Sequence, residues 1–182
     1  MKKKHFGFLF LAMLVLCITN VQAQVKCKYD VDKKDPITDK QIRNISISIC
    51  NSLFGNIVNW KLGLEKVGED YDIAGLIFVN GTVNDFLEKG DSLMIKFSNH
   101  ELVTLYAKSR ITPYKYAEQS ANGTQMTSYN SICYPITTEN FNKFTSSMIT
   151  YVQMNIGSRA YQSEVKEKIA LKIMNSAICI MQ

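Results

Sequence analysis

"IVNWKLGLEKVGEDYDIAGLIFVNGT" (Ile57–Thr82) is the stretch whose reading decides the fold. Val58, Trp60, Leu62 and Leu64 alternate with polar or small residues, the period of two that marks a strand with one buried face. Gly68-Glu69-Asp70 breaks the alternation, and a second apolar run begins at Tyr71. Residues 57–67 and 71–79 are therefore expected to pair as an antiparallel hairpin. Asn80-Gly81 follows as a turn dipeptide, because both residues tolerate positive φ. Trp60, the only tryptophan, is expected to anchor the core from the apolar face.

The same logic extends in both directions. Upstream, "NISISIC" (44–50) alternates Ile45, Ile47 and Ile49 against Asn44, Ser46 and Ser48. "VKCKYDV" (25–31) reads as a short first strand, and "DKKDPITDKQ" (32–41) as a polar turn broken by Pro36. Downstream, "VNDFLEKG" (83–90) reads as one helical turn ended by Gly90. "SLMIKF" (92–97) and "ELVTLYA" (101–107) flank Ser98-Asn99-His100 as a second hairpin. Residues 111–136 hold two Tyr-bearing strand-like runs around "ANGTQ", another turn. "TTENFNKFTSS" (137–147) reads as a helix capped by Thr137 or Thr138, with Phe141 and Phe144 on one face. "MITYVQMNI" (148–156) returns to β character.

The chain closes with "SEVKEKIALKIMNSAICI" (163–180), an amphipathic helix. Val165, Ile169, Ile173, Ala177 and Ile180 share one stripe, and Lys166, Glu167, Lys168 and Lys172 lie largely elsewhere. Such a stripe needs a sheet to lie on. Strands in series followed by a closing helix give an α+β fold. We expect mainly antiparallel sheet of about seven or eight strands, sandwich-like, with the C-terminal amphipathic helix packed on it.

The opening "MKKKHFGFLFLAMLVLCITNVQA" (1–23) sets the compartment. Lys2–Lys4 precede an apolar core from Phe6 to Ile18 that is 13 residues long. About 18–25 apolar residues are needed to span a bilayer, so this core has signal-peptide length. Val21-Gln22-Ala23 suits a signal peptidase, which favours small residues before the cut. The expected organisation is a signal peptide over 1–23 and a single globular domain over 24–182. The alternative is lipidation at Cys17, against which bulky Leu16 stands.

Export reshapes the chemistry. The chain carries 21 Lys and Arg against 16 Asp and Glu, and three of those lysines are Lys2–Lys4. The remainder is nearly neutral and holds no Lys/Arg stripe for a phosphate backbone, so nucleic acid is not an expected partner. No transmembrane segment is expected after residue 23. Four of the five cysteines remain: Cys27, Cys50, Cys133 and Cys179. An even number in an exported chain favours disulfides, with three possible connectivities. A Cys27–Cys50 bridge would contribute about 3 kcal/mol and a Cys133–Cys179 bridge about 4. Dispersed spacing speaks against a zinc site, and no metal or cofactor is expected.

His100 is the sole histidine after residue 23 and falls at a hairpin tip, which suits a solvated turn better than a catalytic base. Motifs for phosphate, zinc or nucleophilic-serine chemistry do not occur. Carboxylate pairs are the remaining catalytic option: Asp70 with Asp72, Asp85 with Glu88, Asp91 with Glu101. Asp30, Asp32, Asp35 and Asp39 form an acidic run that Lys33 and Lys34 interrupt, a solvated loop rather than a calcium site. The positive feature is aromatic. Tyr106, Tyr114, Tyr116, Tyr129 and Tyr134 cluster in the chain, with Asn122, Gln125 and Asn130 among them. Tyrosine's flat apolar face and polar tip suit sugars and protein contacts, and also ordinary cross-strand packing.

The export signal ending in "VQAQ" (21–24), the early cysteine strand, the "KDPIT" turn, the "EKGDSLMIKF" hairpin and the amphipathic end together resemble small uncharacterised secreted and periplasmic proteins of Bacteroidetes-type bacteria. That resemblance implies export from a bacterial cell and brings no catalytic residues. The expected function is non-enzymatic binding of an envelope protein or glycan, with those five tyrosines as the binding face. A carboxylate-based hydrolase of envelope glycans and a purely structural envelope protein are the alternatives.

Overall fold

The computed structural model describes residues 26–51, 57–80, 86–120 and 123–182. Among them are ten strands in two antiparallel sheets and two helices, an α+β fold. The expected hairpin is present as β3 (Ile57–Val67) and β4 (Asp70–Asn80). Its loop is one residue shorter than the sequence suggested: Val67 pairs with Asp70, leaving Gly68-Glu69 as the turn. Gly68 sits at φ +63°, a left-handed conformation that favours glycine.

Around this hairpin the larger sheet runs in the order β1-β2-β3-β4-β8-β7. Its other members are β1 (Val31–Lys34), β2 (Gln41–Asn51), β7 (Tyr114–Ser120) and β8 (Gly123–Ile136). The smaller sheet runs β10-β9-β5-β6. It comprises β5 (Ser92–Phe97), β6 (Leu102–Tyr106), β9 (Ile149–Ile156) and β10 (Arg159–Glu164). Alternation places Ile45, Ile47, Trp60, Leu62, Leu64, Ile73 and Ile77 on the inner face of the first sheet. Leu93, Ile95, Val152 and Met154 line the inner face of the second, and all join one hydrophobic core. The faces meet closely at β4. Gly75 leaves room for Met154, whose Cε lies 2.8 Å from where a Cβ on Gly75 would stand.

Helix α1 (Thr138–Ser146) closes one end of the sandwich. Thr137 is its N-cap, accepting from the Asn140 N–H at 3.3 Å. Phe141 stacks on Tyr71 of the larger sheet at 4.5 Å, and Phe144 meets Phe97 of the smaller at 5.2 Å. One short helix thus joins both layers. Helix α2 (Glu167–Met181) packs on β2, β3 and β9 and buries Ala170, Ile173, Ala177, Cys179 and Ile180.

Three further local expectations differ from the structure. The first strand begins at Val31 rather than near Val25, because residues 26–29 are drawn to α2. Cys27 is bonded to Cys179, and the Tyr29 hydroxyl donates to the Cys179 carbonyl at 2.8 Å. The closing helix starts at Glu167, not Ser163, because Ser163 and Glu164 pair with β9 in a strand of their own. That strand escapes a periodicity reading because Tyr161 is its one buried residue. Where one helical turn was expected, the described residues 86–90 form an isolated bridge, Leu87 to Ile111, and a turn at Gly90 (φ +96°). The Asp91 carboxylate closes that turn, accepting from the Glu88 N–H at 2.9 Å. The Asn80-Gly81 turn lies outside the described residues.

Candidate functional site

The five tyrosines are not brought to one face. Tyr134 is wholly buried in the core, and burial, then the nearby Asp91 carboxylate, raise its phenol well above the ordinary value. Tyr106, at the end of β6, is 59% exposed, and Tyr114, at the start of edge strand β7, is 64% exposed. Tyr114 pairs in register with Tyr129 and Tyr116 with Thr127; the side chains of Tyr116 and Tyr129 lie outside the described residues. Among the described side chains of these five tyrosines, those of Tyr106 and Tyr114 are exposed.

Four cysteines resolve into one bridge and two thiols. Cys27 and Cys179 form a disulfide between residues 152 apart, while Cys50 and Cys133 are free. Neither Cys27–Cys50 nor Cys133–Cys179 forms, because Cys27 lies against the C-terminal helix while Cys50 and Cys133 stand on β2 and β8.

Cys133 belongs to a polar group on the outer face of the larger sheet. The two-residue turn sets Glu65 directly opposite Asp72, and Cys133 stands on the neighbouring strand, paired with Ala74. Asn44 Nδ2 donates to Glu65 at 3.1 Å, and Lys108 Nζ approaches Asp72 Oδ1 at 4.0 Å. Asp72 Oδ1 is itself buried and has no hydrogen-bond partner among the described residues. Like charges directly opposite each other are unfavourable, and Lys108 offsets them. Spacing along the chain pairs Asp72 with Asp70 and does not point to Glu65 or Lys108. A three-residue loop sets Glu65 opposite Ile73, so loop length was the signal that could have found the pair.

These surroundings quieten the thiol. Burial of its sulfur, then the Asp72 and Glu65 carboxylates, push Cys133 up to about 12 from 9.0, although the residue as a whole is exposed. Because the thiolate is the nucleophile, folded Cys133 is expected to alkylate slowly at pH 8. Asp72→Asn is expected to speed that reaction by about tenfold for each pH unit the thiol recovers, read by mass spectrometry of iodoacetamide adducts. An unchanged rate would remove Asp72 as a cause. The linkage has a definite sign. Between pH 9.0 and about 12 the unfolded thiol ionises while the folded one keeps its proton, so stability falls with rising pH through that window.

The other candidate carboxylates are distributed among separate partners. Asp70 faces Lys40 at 3.5 Å, Glu88 faces Arg110 at 3.2 Å, and Glu101 faces Lys143 at 3.8 Å. Asp91 accepts backbone N–H groups of Glu88 and Gly157, and Asp85 lies outside the described residues. The acidic run near the N-terminus is divided in the same way. Asp30 accepts from Ser46 N–H at 2.7 Å, Asp32 from the Gln41 amide, and Asp39 pairs with Lys34 at 2.6 Å. Asp35 caps its own turn, and the N–H groups of Thr38 and Ile37 hold its carboxyl below the ordinary value. His100 is exposed at its hairpin tip with φ +68°.

No described helix is long and apolar enough to cross a membrane. Comparison with family models, curated proteins and solved structures yields no match to this chain.

Proposed function

We propose that the protein is an exported bacterial domain, cut after Ala23, that binds an envelope protein or glycan without catalysing a reaction. The observation that carries this reading is the exposure of Tyr106 and Tyr114, two large rings presented to solvent from β6 and β7. Rings of this kind give stacking area at little entropic cost and a hydroxyl for hydrogen bonding. The Cys27–Cys179 bridge supports the compartment, since disulfides persist in oxidising surroundings. The resemblance to secreted and periplasmic proteins of Bacteroidetes-type bacteria points the same way.

The test is retention of envelope extract on immobilised protein, comparing the native chain with Tyr106→Ala/Tyr114→Ala. Both side chains are exposed, so the double variant is expected to fold as the native chain does. Loss of a retained protein or glycan with the variant is the expected result. Equal retention by both would dismiss the tyrosine surface, and no retention by either would favour the purely structural role.

A second reading rests on Glu65 facing Asp72. Two carboxyls on register-paired residues of neighbouring strands, one of them partly buried, are the minimum for acid–base hydrolysis of a glycan. Release of reducing ends from envelope glycans, abolished by Asp72→Asn, is the result that would favour it.

A further inference from the structure

A second surface, distant in sequence from the tyrosines, is formed by the N-terminal strip, the β2 edge and helix α2. Strand β1 pairs with β2 only up to Asn44, and beyond it β2 has no strand neighbour on that side among the described residues. A cleft of about 670 Å³ opens there, lined by Lys26, Lys28 and Asp30, by Ile45 to Ser48, and by one face of α2. The bridge between Cys27 and Cys179 fixes the strip against the helix, so both walls are held in place.

The walls are charged in one sense. Lys26 and Lys28 stand on the strip, and Lys168 and Lys172, one helical turn apart, stand on α2. All four are exposed, and none forms an ion pair among the described residues. Asp30, the one acidic side chain of the lining among the described residues, is committed to the Ser46 N–H at 2.7 Å. Between the lysines the surface is apolar: Ile169 is half-buried and Leu171 is 46% exposed.

We infer that this cleft docks a short acidic segment of a partner protein, its carboxylates meeting the four lysines and an apolar side chain covering Leu171. Charge complementarity selects an anionic occupant. The chemistry of the lining then selects a peptide. Among the described residues no aromatic ring borders the cleft, so they offer a sugar no stacking face, and a recess suits a chain segment better than a membrane surface. The site goes beyond the tyrosine surface and does not depend on it.

Fluorescence anisotropy of a labelled short peptide alternating Glu and Leu tests the inference, with a Lys–Leu peptide, polygalacturonate and phosphatidylglycerol vesicles as competing probes. The Glu–Leu peptide is expected to bind, to weaken as salt rises, and to lose about tenfold or more in affinity in Lys168→Glu/Lys172→Glu. Lys33→Glu/Lys89→Glu, which changes net charge equally at exposed positions outside the cleft, is expected to bind as the native chain does. Tyr106→Ala/Tyr114→Ala is likewise expected to leave this affinity unchanged, which separates the site from the tyrosine surface. Equal binding by the Lys168/Lys172 variant, an equal loss in the Lys33/Lys89 variant, or preference for polygalacturonate or vesicles would each overturn it.

Discussion

Replacing Cys27 and Cys179 together with serine is expected to lower the unfolding free energy by about 2–5 kcal/mol. The size follows from the 152-residue separation, which makes the closed loop nearly the whole described chain. Loop-closure entropy grows slowly with length, so this bridge approaches the upper end of what one disulfide supplies. Since domains are stable by about 5–15 kcal/mol, its loss is a large share of the total. Urea unfolding reads the effect as a lower midpoint. Reductant should reproduce it in the native protein and do nothing further to the double variant. Cys50→Ser and Cys133→Ser leave the bridge intact and should retain the reductant response. A midpoint unmoved by the Cys27/Cys179 replacement would contradict the bridge's role. A second consequence is local: without the bridge, Tyr29 still ties the strip to α2 through its hydrogen bond to the Cys179 carbonyl.

Trp60→Ala is expected to cost about 3–5 kcal/mol, the range for deleting a large buried aromatic side chain. Trp60 is wholly buried on β3 between the register partners Cys50 of β2 and Ile77 of β4, at the centre of the larger sheet. Its indole Nε1 is buried without a hydrogen-bond partner among the described residues. Trp60→Phe removes that unsatisfied donor while keeping an aromatic ring in the site, so it should cost distinctly less than Trp60→Ala. Denaturant titration of the three proteins gives the ranking. Equal losses for Phe and Ala would mean that the indole N–H, rather than its ring volume, is what the core uses.

What the sequence disclosed depended on whether a signal is local. The period-two runs at Asn44–Cys50 and in the Ile57–Thr82 stretch read directly as strands, because each buries one face of a sheet. Thr137 and the Phe141/Phe144 pair located α1 because cap and stripe sit within a few residues of each other. Strand β10 was hidden, since an edge strand with one buried side chain carries no alternation. The disulfide partners were hidden for another reason: residues so far apart are joined by topology, which spacing does not encode. The tyrosines show the same limit. Their clustering in sequence is real, yet strand parity sends Tyr134 into the core and leaves Tyr106 and Tyr114 exposed. The lysine cleft is built from both ends of the chain, and composition gave no hint of it.

Intact mass of the protein recovered from a bacterium expressing the full chain tests the central claim, an exported domain closed by one bridge, most directly. Alkylation before and after reduction completes the measurement. The expected species begins at Gln24, takes up alkyl groups at Cys50 and Cys133 alone under denaturing, non-reducing conditions, and at Cys27 and Cys179 as well after reduction. A chain retaining residues 1–23, one starting at a lipidated Cys17, or one whose Cys27 and Cys179 alkylate without reduction would contradict it.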